Sequence, residues 1–304
     1  MMKALKEFKI GRYPPAVIVE KSTPIIKVIK GLTEKWVRHA PIVDESNRLI
    51  GMVSARDIID FLGGGPKSRI VEEKYDGNLY EAIMKEPVNS IKYMPPYVTL
   101  DDDIQAVVSI MLERNIGALA ITDEERRVLG IISERHIMAL FSEAKTMVRV
   151  CELMSRPLIT LPPQATLIEG QKLMHEKHIR RIPLKTGPNL RGIVSIKDIV
   201  KLYSLEETLE RLRLLGKESV YSIPLSYLAS TKVITVEPHV DLGEAIRIMR
   251  ENNIGSLVVV DKGEHVGIIT ERDFIIKLPK MWGVELFVDE VEELIVAGRI
   301  VVLR

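Results

Sequence analysis

One seven-residue pattern occurs four times in this chain of 304 residues. Each copy has a glycine, two apolar residues, a serine or threonine, any residue, an arginine or lysine, and then an aspartate or histidine. The carboxylate of an aspartate can accept hydrogen bonds from two adjacent sugar hydroxyls, and the arginine or lysine can pair with a phosphate. The copies are Gly51-Met-Val-Ser-Ala-Arg-Asp57, Gly130-Ile-Ile-Ser-Glu-Arg-His136, Gly192-Ile-Val-Ser-Ile-Lys-Asp198 and Gly267-Ile-Ile-Thr-Glu-Arg-Asp273.

The same residues also allow a purely structural interpretation. A serine or threonine followed three residues later by aspartate at the start of a helix can form a capping box, in which both side chains bond the backbone of the first turn. One copy alone would favour that interpretation, whereas four copies at one place in a repeat favour ligand binding. The two roles are compatible for the serine or threonine, but the aspartate cannot fully serve both.

The pattern belongs to a longer repeat. The third and fourth copies align without a gap at an offset of 75 residues, which places Gly192 on Gly267. In the last copy a short strand at 233–236 precedes an amphipathic helix from Leu242, two buried strands at 256–260 and 266–269, and a closing helix after Thr270. Apolar spacing and turn residues thus predict a β-α-β-β-α plan for each copy.

The repeats define the expected domains. Because a single repeat is small for independent stability, we expect the first to pack with the second and the third with the fourth, sheet against sheet. The two pairs would meet near 142–150. The tail is expected to hold a helix starting at Asp289 and an edge strand at Ile300–Leu303. The predicted fold is α/β (α+β), with repeats at 8–65, 88–143, 150–204 and 225–279 and a tail at 280–304.

Composition narrows the class of protein. The net charge of +1 argues against a dedicated nucleic-acid surface. One cysteine, Cys151, excludes an internal disulfide, and no apolar run approaches the ~20 residues that span a bilayer. The composition therefore predicts a cytoplasmic protein. His175 and His178 lie three residues apart without an evident third ligand, so no metal site is predicted.

These four spaced copies resemble the CBS domain, and a tandem pair resembles a Bateman module. The resemblance extends to about residue 279. With four copies and no attached catalytic domain, the chain is similar to the gamma subunit of AMP-activated protein kinase and to stand-alone archaeal proteins. The resemblance implies binding of AMP, ADP or ATP as ligands, or of S-adenosylmethionine or another adenosyl compound, and no further cofactor.

The resemblance also implies how the clefts are built: the acid comes from one repeat, and the first and second strands come from the partner repeat. The richest cleft would combine one carboxylate with three guanidinium groups: Asp273, Thr270 and Arg272 facing Thr160, Ile179, Arg180 and Arg181. Two further clefts would keep the acid with fewer cations: Asp198, Ser195 and Lys197 facing Thr235, Gly255 and Ser256, and Asp57, Ser54 and Arg56 facing Thr99, Gly117 and Ala118.

The fourth cleft departs from the pattern because His136 replaces the acid. An imidazole cannot hold a diol as a carboxylate does, so ribose binding is expected to be lost there, and the site is empty or takes an anion. Its members would be Ser133, Arg135 and His136 facing Ile18, Arg38, His39 and Ala40.

The sequence favours a regulatory protein over an enzyme. No grouping of nucleophile, base and acid has a recognised spacing, so no catalytic residue is predicted. A nucleotide hydrolase using His39 and His136 is the catalytic alternative, and a ligand-free scaffold or a nucleic-acid regulator are the others. A homodimer and a partner enzyme or kinase are expected.

Overall fold

A computed structural model describes residues 4–8 and 10–296. Three repeats have the predicted β-α-β-β-α plan, the third repeat has the same plan without a full first strand, and short helices join the repeats. The elements in chain order are α1 (Leu5–Phe8), β1 (Val19–Glu20), α2 (Ile25–Glu34), β2 (His39–Val43), β3 (Leu49–Ser54), α3 (Ala55–Ile59), α4 (Arg69–Tyr75), α5 (Leu79–Lys85), β4 (Val98–Thr99), α6 (Ile104–Arg114), β5 (Ala118–Thr122), β6 (Val128–Ser133), α7 (Glu134–Leu140), α8 (Val150–Leu153), α9 (Leu167–Glu176), β7 (Arg181–Thr186), β8 (Asn189–Ser195), α10 (Ile196–Leu202), α11 (Glu206–Leu215), α12 (Lys217–Tyr221), β9 (Thr235–Val236), α13 (Leu242–Glu251), β10 (Ser256–Asp261), β11 (Glu264–Thr270), α14 (Glu271–Trp282) and α15 (Val284–Val296).

Each repeat forms its own small sheet. The first strand pairs parallel with the second, which forms an antiparallel hairpin with the third. In the third repeat the first strand is reduced to one parallel bridge, Leu161 to Leu184. The turn residues read from the sequence have left-handed backbones, with φ of 61° at Asn47, 58° at Gly187 and 85° at Gly263. Such values suit asparagine and glycine and close the hairpins tightly.

The glycine that opens each motif has a packing role that the sequence did not reveal. The segment preceding one repeat runs antiparallel to the third strand of another and bonds the residue after that glycine; Ser155 and Ile268, for example, exchange hydrogen bonds of 2.8 and 3.1 Å. A Cβ on Gly267 would lie 2.7 Å from the Ser155 carbonyl oxygen. Only glycine allows so close a backbone approach. The equivalent bridges are Met52 to Tyr93, Ile131 to Arg12 and Ile193 to Ser230.

The chain divides into two compact units and passes between them four times. Unit 1 consists of the described parts of Met1–Pro15, Pro95–Leu158 and Ile234–Arg304, and unit 2 consists of Ala16–Met94 and Ile159–Val233. Unit 1 thus holds the second and fourth repeats, and unit 2 holds the first and third.

Each unit buries its own apolar core of helices and sheet faces. In unit 1 the rings of Phe141, Phe274 and Phe287 meet with centroid distances of 4.8–5.7 Å. Helix α15 packs on α6, α7 and α14 and covers this core. In unit 2 helix α10 packs on α2 and α3. Helix packing inside a unit therefore joins alternate repeats.

One expectation, the start of the tail helix, differs from this architecture. The predicted boundary at 142–150 between the second and third repeats lies within unit 1, where the turn at 141–143 packs on α13 and Phe141 belongs to the aromatic core, and it stays a prediction. The tail helix begins at Val284 rather than at Asp289, because Phe287 and Val288 are already buried against unit 1. The edge strand expected at 300–303 lies outside the described residues. The predicted pairing of adjacent repeats involves residues of different units and stays a prediction.

Candidate functional site

The motif residues lie where the third strand of each repeat meets its closing helix. In three repeats the hydroxyl residue and the aspartate form the capping box expected from the structural interpretation. One carboxylate oxygen, Oδ2, accepts both the backbone N–H and the hydroxyl of the capping residue. The distances are 2.8 and 2.6 Å from Ser54 to Asp57, 2.8 and 2.6 Å from Ser195 to Asp198, and 2.9 and 2.7 Å from Thr270 to Asp273.

The second oxygen, Oδ1, distinguishes the three aspartates. In Asp273 it accepts from the Ser155 hydroxyl at 2.7 Å and pairs with Lys277 Nζ at 2.7 Å. In Asp57 it pairs with Lys67 Nζ. For Asp198, the part of the chain that the structure describes offers Oδ1 no hydrogen-bond partner. Capping therefore occupies one oxygen of each aspartate, and the structure gives the other oxygen a different environment in each repeat.

His136 replaces the aspartate in the second repeat and reproduces the cap. Its Nδ1 accepts the Ser133 backbone N–H at 3.0 Å, which fixes the neutral tautomer with the proton on Nε2. Burial, together with the smaller effect of the nearby charges of Arg135 and Arg12, lowers the pKa of His136 to about 4. The imidazole is therefore neutral at pH 7 and offers one N–H donor.

The depressed pKa predicts a loss of stability in acid. As the pH falls from the ordinary histidine pKa of 6.5 toward about 4, the unfolded chain binds a proton that the folded chain does not. We expect the free energy of unfolding to fall by about 2 kcal/mol over that window, since the ring is partly exposed and solvent reduces the full effect.

Urea unfolding of the wild type and His136→Asn at pH 7, 6, 5 and 4 tests this prediction. The asparagine oxygen can still accept from Ser133, so the variant keeps a cap but has no titrating ring. The wild type should lose more stability than the variant across this range. Equal slopes would show that folding does not lower the pKa of His136.

The motif cation joins alternate repeats within a unit. In all four repeats it reaches a residue with φ of 53° that follows the first helix of the other repeat. Arg272, for example, donates to the Asn115 carbonyl at 2.8 Å, and Lys197 donates to the Trp36 carbonyl at 2.7 Å and lies 4.8 Å from the centre of its ring. The four contacts are Arg56 to His178, Arg135 to Asn253, Lys197 to Trp36 and Arg272 to Asn115.

Unit 1 adds buried carboxylates to this contact. Glu134 and Glu271 each precede a motif arginine and are 0% and 1% exposed. Arg272 meets Glu134 at 3.0 Å, and Arg135 lies 3.9 Å from Glu271. The equivalent residues of unit 2 are Ala55 and Ile196, which are apolar. A phosphate that binds a motif cation would therefore compete with these contacts for the cation, or would bind the cation while the contacts remain.

Most of the strand residues predicted for the clefts lie at or just before the start of a strand, whereas Thr99 ends β4. Arg38 and Arg180 accept, through their carbonyls, the first N–H of the closing helix of their own repeat at 2.8 and 2.9 Å. Thr99 bonds Asp102 through both its backbone N–H and its hydroxyl. In unit 2 lie Ile18, Arg38, His39, Ala40, Thr160, Ile179, Arg180 and Arg181, and in unit 1 lie Thr99, Gly117, Ala118, Thr235, Gly255 and Ser256. Each predicted cleft draws on both units, and its assembly stays a prediction.

Sequence reasoning missed two lysines. Lys277 follows Asp273 by one helical turn, an i to i+4 spacing that could have signalled an ion pair. Lys67 follows Asp57 by ten residues, and no periodicity connects them. A π-helical turn at Asp60–Gly64, with φ of 112° at Gly63, reverses the chain, and Asp60 Oδ1 then accepts the Lys67 backbone N–H at 2.9 Å.

The CBS domain family matches this chain at four places: residues 10–64, 81–143, 150–205 and 225–280. These matches cover most of the chain. The chain belongs to the CBS-domain family. Four CBS repeats in one mixed α/β chain are typical of paired Bateman modules.

Similar proteins span nearly the whole length of this CBS-domain chain. An uncharacterised 33.4 kDa protein from the ribosomal RNA operon of Thermofilum pendens is 44% identical over 97% of this chain and 99% of its own. The crystal structure of MJ1225 from Methanocaldococcus jannaschii, a proposed archaeal homologue of g-AMPK, superposes with a TM-score of 0.81 at 27% identity, covering 88% and 97% of the two chains. The crystal structure of a conserved protein from Pyrococcus horikoshii shares the fold, with a TM-score of 0.55 at 17% identity, and the match covers 90% of this chain and 98% of that protein.

Among the described residues, no helix has the length and apolar character needed to cross a membrane. Within residues 4–8 and 10–296, no group of three or more His, Cys, Asp or Glu side chains is placed to hold a metal ion.

Proposed function

We propose that this protein is a regulatory subunit that binds AMP, ADP or ATP at the helix starts of its CBS repeats, in clefts between paired repeats. The observation that carries the proposal is the aspartate that occurs at one structural position in three repeats. In each, two hydrogen bonds from the capping residue fix Oδ2, so the carboxylate is oriented before any ligand arrives. A preoriented acceptor loses little side-chain entropy when it binds a ribose diol.

The similarity to MJ1225 supports the choice of adenine nucleotides. That protein is described as a proposed homologue of g-AMPK, and it shares 28% identity with this chain over 276 residues. The notion of an energy sensor follows from this similarity and from the CBS resemblance.

The motif cation offers a route from ligand binding to regulation. It is the residue directly before each aspartate, and it bonds the alternate repeat of the same unit, as Arg56 does with His178 at 3.0 Å. A ligand that binds the aspartate and shifts this cation would bias the packing of the two repeats. The size of the shift is limited by the ligand's difference in affinity for the two packings. A homodimer interface or a partner enzyme, such as a kinase, would detect the change.

Calorimetric titration tests the proposal. The wild type and the triple variant Asp57→Asn, Asp198→Asn, Asp273→Asn are titrated with AMP, ADP, ATP and S-adenosylmethionine. Asparagine keeps an oxygen for the cap and replaces the other oxygen with an NH₂ donor. We expect binding to the wild type and its loss in the triple variant, and at 100 times Kd the ligand should stabilise the wild type by about 2.7 kcal/mol.

Other outcomes would identify the alternatives. Heat from S-adenosylmethionine alone would indicate a sensor of adenosyl thioethers. No heat from any ligand would overturn the proposal in favour of a scaffold, whose motif residues serve only capping and inter-repeat contacts. Turnover of ATP by the purified wild type would reveal an enzyme.

A further inference from the structure

The three CBS aspartates are unequal as acceptors for a ligand. We propose that Lys67 and Lys277 occupy the diol-accepting oxygen of Asp57 and Asp273, so that Asp198 in the third repeat is the site where a ribose binds most tightly. The inference rests on the proposed function and ranks its sites. It differs from the ranking by sequence, which places the Asp273 cleft first because of its cations.

The comparison depends on one oxygen. Because Oδ2 accepts two hydrogen bonds from the capping residue in all three repeats, its two lone pairs are used. A vicinal diol must therefore donate to Oδ1, which has two further lone pairs. Each Oδ1 lone pair that already accepts a hydrogen bond from a protein group must be released before a ribose hydroxyl can donate to it.

Asp273 is the most occupied of the three. Its Oδ1 accepts from Ser155 Oγ and from Lys277 Nζ, both at 2.7 Å, and the residue is 6% exposed. Lys277 is anchored further by the Leu153 carbonyl at 2.7 Å. A diol would have to break a buried, charge-assisted hydrogen bond at this site, and such bonds are about twice as strong as neutral ones.

Asp57 is intermediate. Its Oδ1 pairs with Lys67, which also donates to the Ile91 carbonyl at 2.6 Å. The side chains of Lys67 and Asp57 are 26% and 13% exposed, so water screens this pair weakly. One lone pair of Oδ1 is left for a ligand, and a diol needs two.

Asp198 has no such lysine. The residues at the positions of Lys277 and Lys67, four and ten residues beyond the aspartate, are Leu202 and Thr208. Leu202 is 4% exposed and Thr208 is 5% exposed, so both lie in the core of unit 2. Among residues 4–8 and 10–296, no group donates to Oδ1 of Asp198. Both lone pairs can therefore accept the two hydroxyls of a ribose without displacing a cation.

Calorimetric titration of the full chain with AMP tests the ranking, with 2′,3′-dideoxy-AMP as the probe that lacks the diol. The tightest site of the wild type should weaken at least about tenfold in Asp198→Asn, and by a similar factor when the wild type is given the dideoxy probe. Asp261→Asn, at the exposed end of β10, is the matched control and should bind AMP as the wild type does. Melting of each variant without AMP checks that it folds.

The lysine variants test the competition directly. Lys67→Met and Lys277→Met should tighten AMP binding at their own aspartates, which a second, weaker phase of the titration measures. An unchanged tight site in Asp198→Asn, its loss in Asp273→Asn, or weaker AMP binding in both lysine variants would overturn the ranking while the proposed function stands. A wild type that binds none of the four adenosyl ligands would instead refute the proposed function, and this inference with it.

Discussion

Replacing Arg272 with methionine is expected to lower the free energy of unfolding by about 3 kcal/mol. The guanidinium lies 3.0 Å from Glu134, which is 0% exposed, and it also donates to the Asn115 carbonyl at 2.8 Å. Methionine keeps much of the apolar stem but removes the positive charge that faces the buried carboxylate. The loss of that charge in a low-dielectric environment is strongly destabilising, and chemical denaturation measures it.

The chain supplies a matched control for this variant. Arg247 also pairs with two glutamates, Glu244 at 2.5 Å and Glu251 at 3.0 Å, but all three side chains are well exposed. Arg247→Met should therefore lower stability far less than Arg272→Met does. Combining Arg272→Met with Glu134→Gln should cost less than the sum of the two single changes. Equal denaturation midpoints for Arg272→Met and Arg247→Met would contradict the expected role of Arg272.

Replacing Gly267 with alanine is expected to cost about 2 kcal/mol. The new Cβ would lie 2.7 Å from the Ser155 carbonyl oxygen and 3.1 Å from Met154 Sδ. Because the first of these is a backbone atom, the strand and the crossing segment must separate. The hydrogen bonds between Ser155 and Ile268 weaken as a result. Urea denaturation of Gly267→Ala measures the loss.

Gly187→Asn serves as the control for Gly267→Ala. Gly187 has a positive φ of 58°, which asparagine tolerates, and a Cβ there meets nothing within 4 Å. This change should alter stability by less than about 0.5 kcal/mol. A Gly267→Ala protein as stable as Gly187→Asn would show that the crossing segment adapts without loss.

The sequence could predict the elements because local chemistry sets them. The helix over 242–251 follows from apolar residues spaced three and four apart, and the hairpin turns follow from Asn47, Gly187 and Gly263. Family membership was equally accessible, since it depends on motifs repeated four times at fixed spacing. The capping boxes also follow from a pattern only four residues long.

Local sequence patterns predicted only part of the candidate site. The sequence identified the aspartates, but it left each of them with two competing roles. The structure assigns one oxygen to each cap and shows that the second oxygen differs among the repeats. The role of the motif cation toward phosphate stays a prediction, and the sequence did not reveal that this cation bonds a left-handed residue in an alternate repeat, 122 residues away for Arg56 and His178.

The repeat, its secondary structure, its family and the residue types available for chemistry follow from the sequence, because short motifs and local spacing encode them. The sharing of a core by alternate repeats, the packing reason for the motif glycines and the pairing of Lys67 with Asp57 became evident only in the folded chain. Lys67 reaches Asp57 through a reversed turn, and Ser155 reaches Asp273 from 118 residues away. Contacts of that range arise from packing of the whole chain, and no local pattern encodes them.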